Sequence, residues 1–225
     1  MLSWIWFPVE YLKWYATCNL AMKLPKLREV IEAVKALLSG PCTSKFPAQP
    51  SPAPAGYRGR PTYHEDKCVG CGACFQTCPA RAITMDDCTD SSPPVRKLTV
   101  LYDHCIFCQT CQRSCITDEG IQLETEYNMV SDSRADQQMS VEKELVLCDV
   151  CGAIITARDH LRWLYHKLGP LAYANPTLML TSLTDLRIVD EPAPRPATRE
   201  PEDVGRGDRM RVLCPVCRAK VSVIV

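Results

Sequence analysis

The 225-residue sequence lacks an excess of charge of either sign, with 26 Lys and Arg against 26 Asp and Glu. A balanced chain has no field that draws it to a polyanion, which argues against a nucleic-acid partner. Nor is there any stretch near the roughly 18 uncharged apolar residues that a membrane-spanning helix needs, so the chain is not expected to cross a bilayer. The first residues, MLSWIWFPVEYLK, lack the basic start and the small-residue cleavage site of a secretory signal. Cysteine, by contrast, is abundant, with fifteen in all. In a secreted chain that count would suggest a disulfide framework. Here twelve of the fifteen fall at C-x2-C or C-x3-C spacing, which suits metal better and points to a reducing, cytoplasmic setting.

Composition divides the chain into four expected regions. Residues 1–40 are amphipathic, opening with an aromatic run of Trp4, Trp6, Phe7, Tyr11, Trp14 and Tyr15. From Met22 to Leu38 the apolar Leu24, Leu27, Ile31, Val34 and Leu38 recur at three and four, with Lys23, Lys26, Glu29, Glu32 and Lys35 opposite. Pro25 suits the first turn of that helix, and Ser39-Gly40-Pro41 stops it. Trp and Tyr favour boundaries, so this segment reads as a helix that docks on a membrane surface or a membrane subunit. Residues 41–67 are an extended, proline-rich arm. Residues 68–130 carry the densest motifs. Residues 131–225 hold a second cysteine region, which follows a polar connector at 128–147. Thr156 to Leu168 reads as a helix within it, and Pro192 to Gly207 as an exposed loop.

Residues 68–79 spell C-x2-C-x2-C-x3-C-P, and the same cysteine spacing returns 37 residues later from Cys105 to Cys115. Three thiolates on one winding loop reach three irons of a cubane, while the fourth cysteine begins a helix aimed at the other cluster. One [4Fe–4S] cluster is therefore assigned to Cys68, Cys71, Cys74 and Cys115, and the other to Cys105, Cys108, Cys111 and Cys78. Gly70, Gly72 and Ala73 are small enough to let backbone amides approach the sulfurs. Phe75 and Phe107 read either as shields against water or as ordinary core. The second motif departs from the first in one respect. Cys115 is followed by Ile116 instead of proline, and the turn to Ile121 is one residue longer than that from Cys78 to Ile83. Around the motifs, Ala82–Met85, Leu98–Tyr102 and 121–124 read as short strands, with 86–94 an inserted loop. Cys18, Cys42 and Cys88 have no partner at ligand spacing. All eight motif cysteines are used, which leaves no open iron for catalysis, so no catalytic residue is assigned and electron relay is the expected chemistry.

Cys148-Asp149-Val150-Cys151-Gly152 and Cys214-Pro215-Val216-Cys217 are two further knuckles, of the kind four-cysteine zinc ribbons use. With 62 residues between them, Cys148, Cys151, Cys214 and Cys217 are expected to hold one zinc ion. A redox disulfide pair, a rubredoxin-like iron, or His160 or His166 in place of one cysteine are the alternatives. Basic residues here (Arg162, Lys167, Arg206, Arg209, Arg211) are interleaved with Asp185, Asp190, Glu191, Glu200 and Glu202, so no basic stripe forms.

Taken together, Phe46-Pro47, Tyr57-Arg58-Gly59-Arg60-Pro61, Cys68–Ala82, Asp103–Cys108 and the 121–127 run resemble one known family. It is the two-cluster ferredoxin-like subunit shared by respiratory complex I and the membrane-bound group 4 [NiFe] hydrogenases. The two added knuckles resemble the formate hydrogenlyase-type members. The resemblance implies an α+β chain: a two-cluster, bacterial-type ferredoxin core between an N-terminal amphipathic helix and a C-terminal zinc-ribbon-like extension. It further implies a non-catalytic electron-relay subunit, peripheral on the cytoplasmic side of the inner membrane, whose partners are the other subunits of a hydrogenase-like assembly. Membrane contact would be made through residues 1–38. The corresponding subunit of a quinone-reducing complex I relative, or a soluble ferredoxin carrier, is the alternative. Arg58 and Arg60 would either anchor the arm to a neighbouring subunit or form a solvated turn.

Overall fold

The computed structural model describes residues 26–41, 43–189 and 204–223. The aromatic run before residue 20, Pro25, Cys18 and Cys42 lie outside them. The chain divides between Pro52 and Ala53 into two units.

In the first unit, helix α1 spans Leu27–Ser39. Its first turn is closed by Glu29, whose carboxylate accepts from the Lys26 N–H at 3.1 Å. Gly40, with φ +70°, ends it in a conformation that favours glycine. Leu27, Ile31, Val34 and Leu38 form a stripe along one side, and none of the helix is buried. Leu38 is 84 % exposed. No described helix is long and apolar enough to cross a membrane.

The second unit begins with a β-α-β pattern used twice. Strand β1 (Pro61–Tyr63), helix α2 (Ala73–Thr77) and strand β2 (Ile83–Cys88) make the first half. Strand β3 (Val95–Leu101), helix α3 (Thr110–Arg113) and strand β4 (Ile121–Leu123) make the second. The halves exchange partners: β1 pairs antiparallel with β4, and β2 with β3. Register makes the internal symmetry explicit, with Tyr63 opposite Ile121 and Val100 opposite Ile83. The core of this region is built from Tyr63, Ile83, Leu98, Val100, Ile121 and Val141 together with Cys68 and Cys74. The hairpin runs three residues further than the sequence reading, to Cys88 and back from Val95, since Arg96 and Lys97 still pair across it.

The expected polar connector instead contains strand β5 (Gln138–Leu147), paired with β3. Val141 and Leu145 are buried on one side of it while Glu142 faces out, the period of two that a half-buried strand requires. Strand β6 (Ile154–Ala157) extends the sheet to the order β2-β3-β5-β6. Helix α4 therefore starts at Arg158, not Thr156, and runs to Leu168. The β-branched Ile154-Ile155-Thr156 prefers the pleated surface. Helix α5 (Pro176–Asp185) is capped by the Asn175 side chain, which accepts from the Thr177 N–H at 2.9 Å. Residues 190–203, most of the expected loop, lie outside the described residues. Val204, which follows them, is buried, and Arg206–Met210 form a short helical turn. Helix α6 covers Pro215–Val223.

Candidate functional site

Each half places its cysteine loop before its short helix, and the loops wind in the same way. Gly70 and Gly72 take left-handed φ values of +67° and +79°. At the equivalent points of the second loop stand Phe107 and Gln109, at +52° and +68°. Non-glycine residues tolerate this region at a cost of about 1 kcal/mol each. The alternation turns successive N–H groups inward, making a concave donor surface. The N–H groups of Gly70, Ala73 and Phe75 reach the sulfurs of Cys68, Cys71 and Cys74. Those of Phe107, Thr110 and Gln112 do the same for Cys105, Cys108 and Cys111.

Two cavities result. One is walled by Cys68, Cys71, Cys74 and Cys115, with Tyr63, Leu98 and Ile121 behind them. The other is walled by Cys105, Cys108, Cys111 and Cys78, with Val100, Ile83 and Phe107. Each takes three thiols from one loop and the fourth from the other. The turn after Cys115 repeats that after Cys78 despite the missing proline. Arg81 and Asp118, each three past the cysteine, take φ of +50° and +62°. Their N–H groups donate to the Cys78 and Cys115 carbonyls at 3.3 and 3.2 Å. The extra residue is accommodated by Gly120, whose backbone lies against Cys115 and Cys68. A Cβ there would sit 3.0 Å from the Cys115 Sγ.

Burial pushes the Cys68, Cys71 and Cys105 thiols up, and carries Cys74 to about 11 and Cys111 to about 12. Cys108 is pulled down instead, by the Thr110 hydroxyl and N–H. The Cys74 and Cys111 thiols therefore stay protonated in neutral water, and ionise when a cation takes the place of the proton. Four soft donors around a cavity lined with N–H groups suit a thiolate-bound iron group.

The second cysteine set also converges. The Sγ atoms of Cys148, Cys151, Cys214 and Cys217 all lie within 4.8 Å of one another. A tetrahedron of sulfurs about 2.3 Å from one ion has edges of about 3.8 Å. The Cys151–Cys214 separation is 3.6 Å. Val150, Val204, Leu213 and Val221 close around them. The knuckles are tied by Asp149, whose N–H donates to the Val212 carbonyl at 2.9 Å and whose carboxylate accepts the Val212 N–H at 3.0 Å. Burial raises the Cys148 thiol, but the N–H groups of Cys151, Cys214 and Val150 outweigh it and bring the group to about 7. Burial pushes Cys217 up, and the neighbouring thiols add to the rise; burial also raises Cys151, against the Ala153 N–H, which lowers it. His160 accepts no place in this set: its Nδ1 lies 2.8 Å from the Thr156 hydroxyl.

Side chains the motifs do not announce hold the first loop in place. Arg96, buried on β3, makes a bidentate pair with Asp87 at 2.7 and 2.9 Å and donates to the Gly70 carbonyl at 3.1 Å. Lys143 on β5 donates to the Glu65 carbonyl and pairs with Asp159 at 3.0 Å. Tyr63 lines the first cavity with its hydroxyl 3.5 Å from the Cys74 Sγ. Only its aromatic body, not this contact, could be anticipated from strand alternation. Arg60 lies 3.7 Å from Glu124, and Gly59 donates to the Glu124 carbonyl at 2.8 Å, so this part of the arm packs on the end of β4. Phe107 lines the second cavity and Phe75 packs against the core. Cys88 is exposed at the end of β2.

Residues 67–118 match the family model of the 4Fe-4S dicluster domain. This stretch is a ferredoxin-like 4Fe–4S domain. Formate hydrogenlyase subunit 6 of Escherichia coli (strain K12) is 35% identical over 52 residues, which are 23% of this chain and 29% of that protein. The chain thus spans less than a third of that relative's length. NADH-quinone oxidoreductase subunit I 2 of Geobacter metallireducens is 27% identical over 124 residues, 51% of this chain and 92% of that protein. Among solved structures, a chain of the membrane-bound sulfane sulfur reductase, an archaeal respiratory membrane complex, is 32% identical. It covers 51% of this chain and 61% of its own, with a TM-score of 0.34. The relatives are of the two kinds the sequence resembles, and the 4Fe–4S domain identifies iron–sulfur binding.

Proposed function

We propose that this chain is an electron-relay subunit of a membrane-associated, formate hydrogenlyase-like hydrogenase complex, carrying two [4Fe–4S] clusters and one structural zinc ion. The observation that carries the reading is the pair of cavities, each walled by three cysteines of one motif and the fourth of the other. Cys68, Cys71, Cys74 and Cys115 hold one cluster, and Cys105, Cys108, Cys111 and Cys78 the other. A bound [4Fe–4S] cluster supplies one-electron exchange. The chain's own residues fix the sulfurs, donate N–H groups to them, and cover them with Tyr63, Leu98, Val100 and Phe107.

Cys148, Cys151, Cys214 and Cys217 hold the zinc. All four positions are taken by sulfur in a small apolar core, which suits a closed structural site that clamps α6 to the end of β5. The exposed apolar stripe of α1, with residues 1–38, faces a membrane subunit or the membrane surface on the cytoplasmic side. Residues 1–40 then serve as a docking segment, 41–67 as an arm, 68–130 as the ferredoxin domain and 131–225 as the zinc-binding extension. Partners are the other subunits of the assembly, and nucleic acid is not among them. The corresponding subunit of a complex I relative is the second reading, favoured by the match that spans 92% of the Geobacter protein.

Anaerobic purification with iron, sulfide and zinc analysis, and EPR of the dithionite-reduced protein, tests this. About eight irons, eight sulfides and one zinc per chain are expected, with two interacting reduced clusters. Little iron with two or more zinc ions per chain would overturn the relay reading.

A further inference from the structure

The two halves donate backbone N–H groups to their three loop cysteines in the same pattern. They differ at the fourth cysteine, where the Ala82 N–H reaches the Cys78 Sγ at 3.3 Å and the Thr117 hydroxyl lies 3.3 Å from the Cys115 Sγ, and in the side chains that line each cavity. Tyr63 and Val100 are equivalent positions: each stands five residues before the first cysteine of its loop. Each is buried, and each pairs with an isoleucine across its sheet. Val100 lines the cavity of Cys105, Cys108, Cys111 and Cys78 with methyl groups alone. Tyr63 lines the cavity of Cys68, Cys71, Cys74 and Cys115 and brings a hydroxyl within 3.5 Å of the Cys74 Sγ. A phenol titrates near 10, and a metal-bound cysteine is a thiolate without a proton, so the direction of this bond is fixed: the tyrosine donates. The surroundings give the bond its weight. Cys68 and Cys74 are buried, whereas none of the four cysteines of the other cavity is. Burial disfavours the more negative, reduced form of a cluster, and a donor on a ligand sulfur favours it.

Resting on the relay reading above, we propose that the Tyr63 hydroxyl hydrogen-bonds the Cys74 thiolate and raises the reduction potential of the cluster bound by Cys68, Cys71, Cys74 and Cys115, offsetting its burial. Tyr63 is a positioning and tuning residue that touches a ligand, not a group that reacts. The other cavity carries its own hydroxyl at a different place. Thr110 lies 3.2 Å from the Cys108 Sγ, where the first loop has Ala73. The two sites can therefore be moved separately.

The test is an EPR-monitored redox titration of the full, anaerobically loaded chain as wild type, Tyr63→Phe and Thr110→Val, with iron and sulfide measured on each sample. Tyr63→Phe keeps the ring that fills the core. It is expected to retain full iron and to shift the reduction equilibrium of one cluster signal towards the oxidised form, by up to about tenfold, which is about 59 mV for one electron. Thr110→Val is expected to shift the other signal in the same direction. Full iron with unchanged potentials in Tyr63→Phe, or equal shifts of both signals, would overturn the inference and leave the relay reading standing. A wild-type chain that takes up no iron–sulfur cluster would defeat the relay reading itself.

Discussion

Replacing Arg96 with methionine should cost this fold about 3 kcal/mol, and the reasoning is specific to its place. The guanidinium is 9 % exposed and its partner Asp87 19 %, and two of its nitrogens face the two carboxylate oxygens at 2.7 and 2.9 Å. Removing one partner of such a pair leaves the other charge stranded, which costs about 3–5 kcal/mol when burial is complete. The residual exposure of Asp87 places the expected value at the low end, about 3 kcal/mol. The Gly70 carbonyl loses its donor as well. For a chain of this size each kcal/mol moves the melting temperature by about 2–4 °C, so a drop of roughly 6–12 °C is expected. Thermal melting of the loaded chain by far-UV circular dichroism measures it. Pairing Arg96→Met with Asp87→Asn completes a double-mutant cycle, and the double variant should recover part of the loss because no charge is left behind. Iron release should begin at the cluster nearest Gly70, so one EPR signal fades before the other. A fall under about 2 °C, or a coupling energy near zero, would refute the claim that this pair holds the first loop.

Gly120→Ala places a methyl group 3.0 Å from the Cys115 Sγ and 2.8 Å from the Thr117 hydroxyl, and should cut iron towards about four per chain by sparing only the other site; iron analysis with EPR reads it. Cys217→Ser should abolish zinc retention and lower the melting temperature, since Cys217 is wholly buried among the other three sulfurs, and metal analysis after dialysis checks the first effect. Burial, and then Arg96, hold the His160 pKa below its ordinary value of about 6.5, so the folded state binds fewer protons there than the unfolded one. Stability from this group is full above about pH 6.5 and declines as pH falls below it; His160→Asn, which can keep the Thr156 contact, should flatten the decline between about pH 6.5 and 5 in denaturant titrations.

Spacing made the thiol-walled cavities legible, because the pattern of cysteines encodes loop winding directly and a repeat of it encodes the internal symmetry. The convergence of four knuckle cysteines across 62 intervening residues was legible for the same reason. Strand β5 was not, since Glu142, Lys143 and Glu144 hide the alternation of Val141 and Leu145 from any reading by polarity. Arg96, Lys143 and Tyr63 were illegible for a deeper reason. Their roles depend on which residues lie across a strand pair or above a loop, and register is fixed by the whole sheet. Gly120 could have been found: an extra residue in a turn that must still deliver Cys115 and Ile121 to fixed places is most easily a glycine. Phe107 and Gln109 argue the opposite way, since nothing in their chemistry signals left-handed backbone. Only alignment of the two loops, with Gly70 and Gly72 at the matching points, shows that the second loop is wound under strain.

The asymmetry between the halves follows from what the C-terminal extension covers. At Gly70 an added Cβ would lie 3.0 Å from those of Ala157 on β6 and Lys143 on β5, so the sheet extension presses directly on the first loop. Among the described residues no comparable cover reaches the second, where Ile106 is 62 % exposed. Two loops of identical spacing thereby meet different environments, one under protein and one towards solvent. Thiolate-bound clusters feel exposure and local donors more than they feel the ligand spacing they share. If the proposed zinc steadies β5 and β6, it acts on the first loop of the ferredoxin core, and loss of metal in Cys217→Ser should loosen the Cys68–Cys74 loop before the Cys105–Cys111 loop. Hydrogen exchange of the amides donated to those sulfurs measures this order, and equal loosening of both loops would refute it.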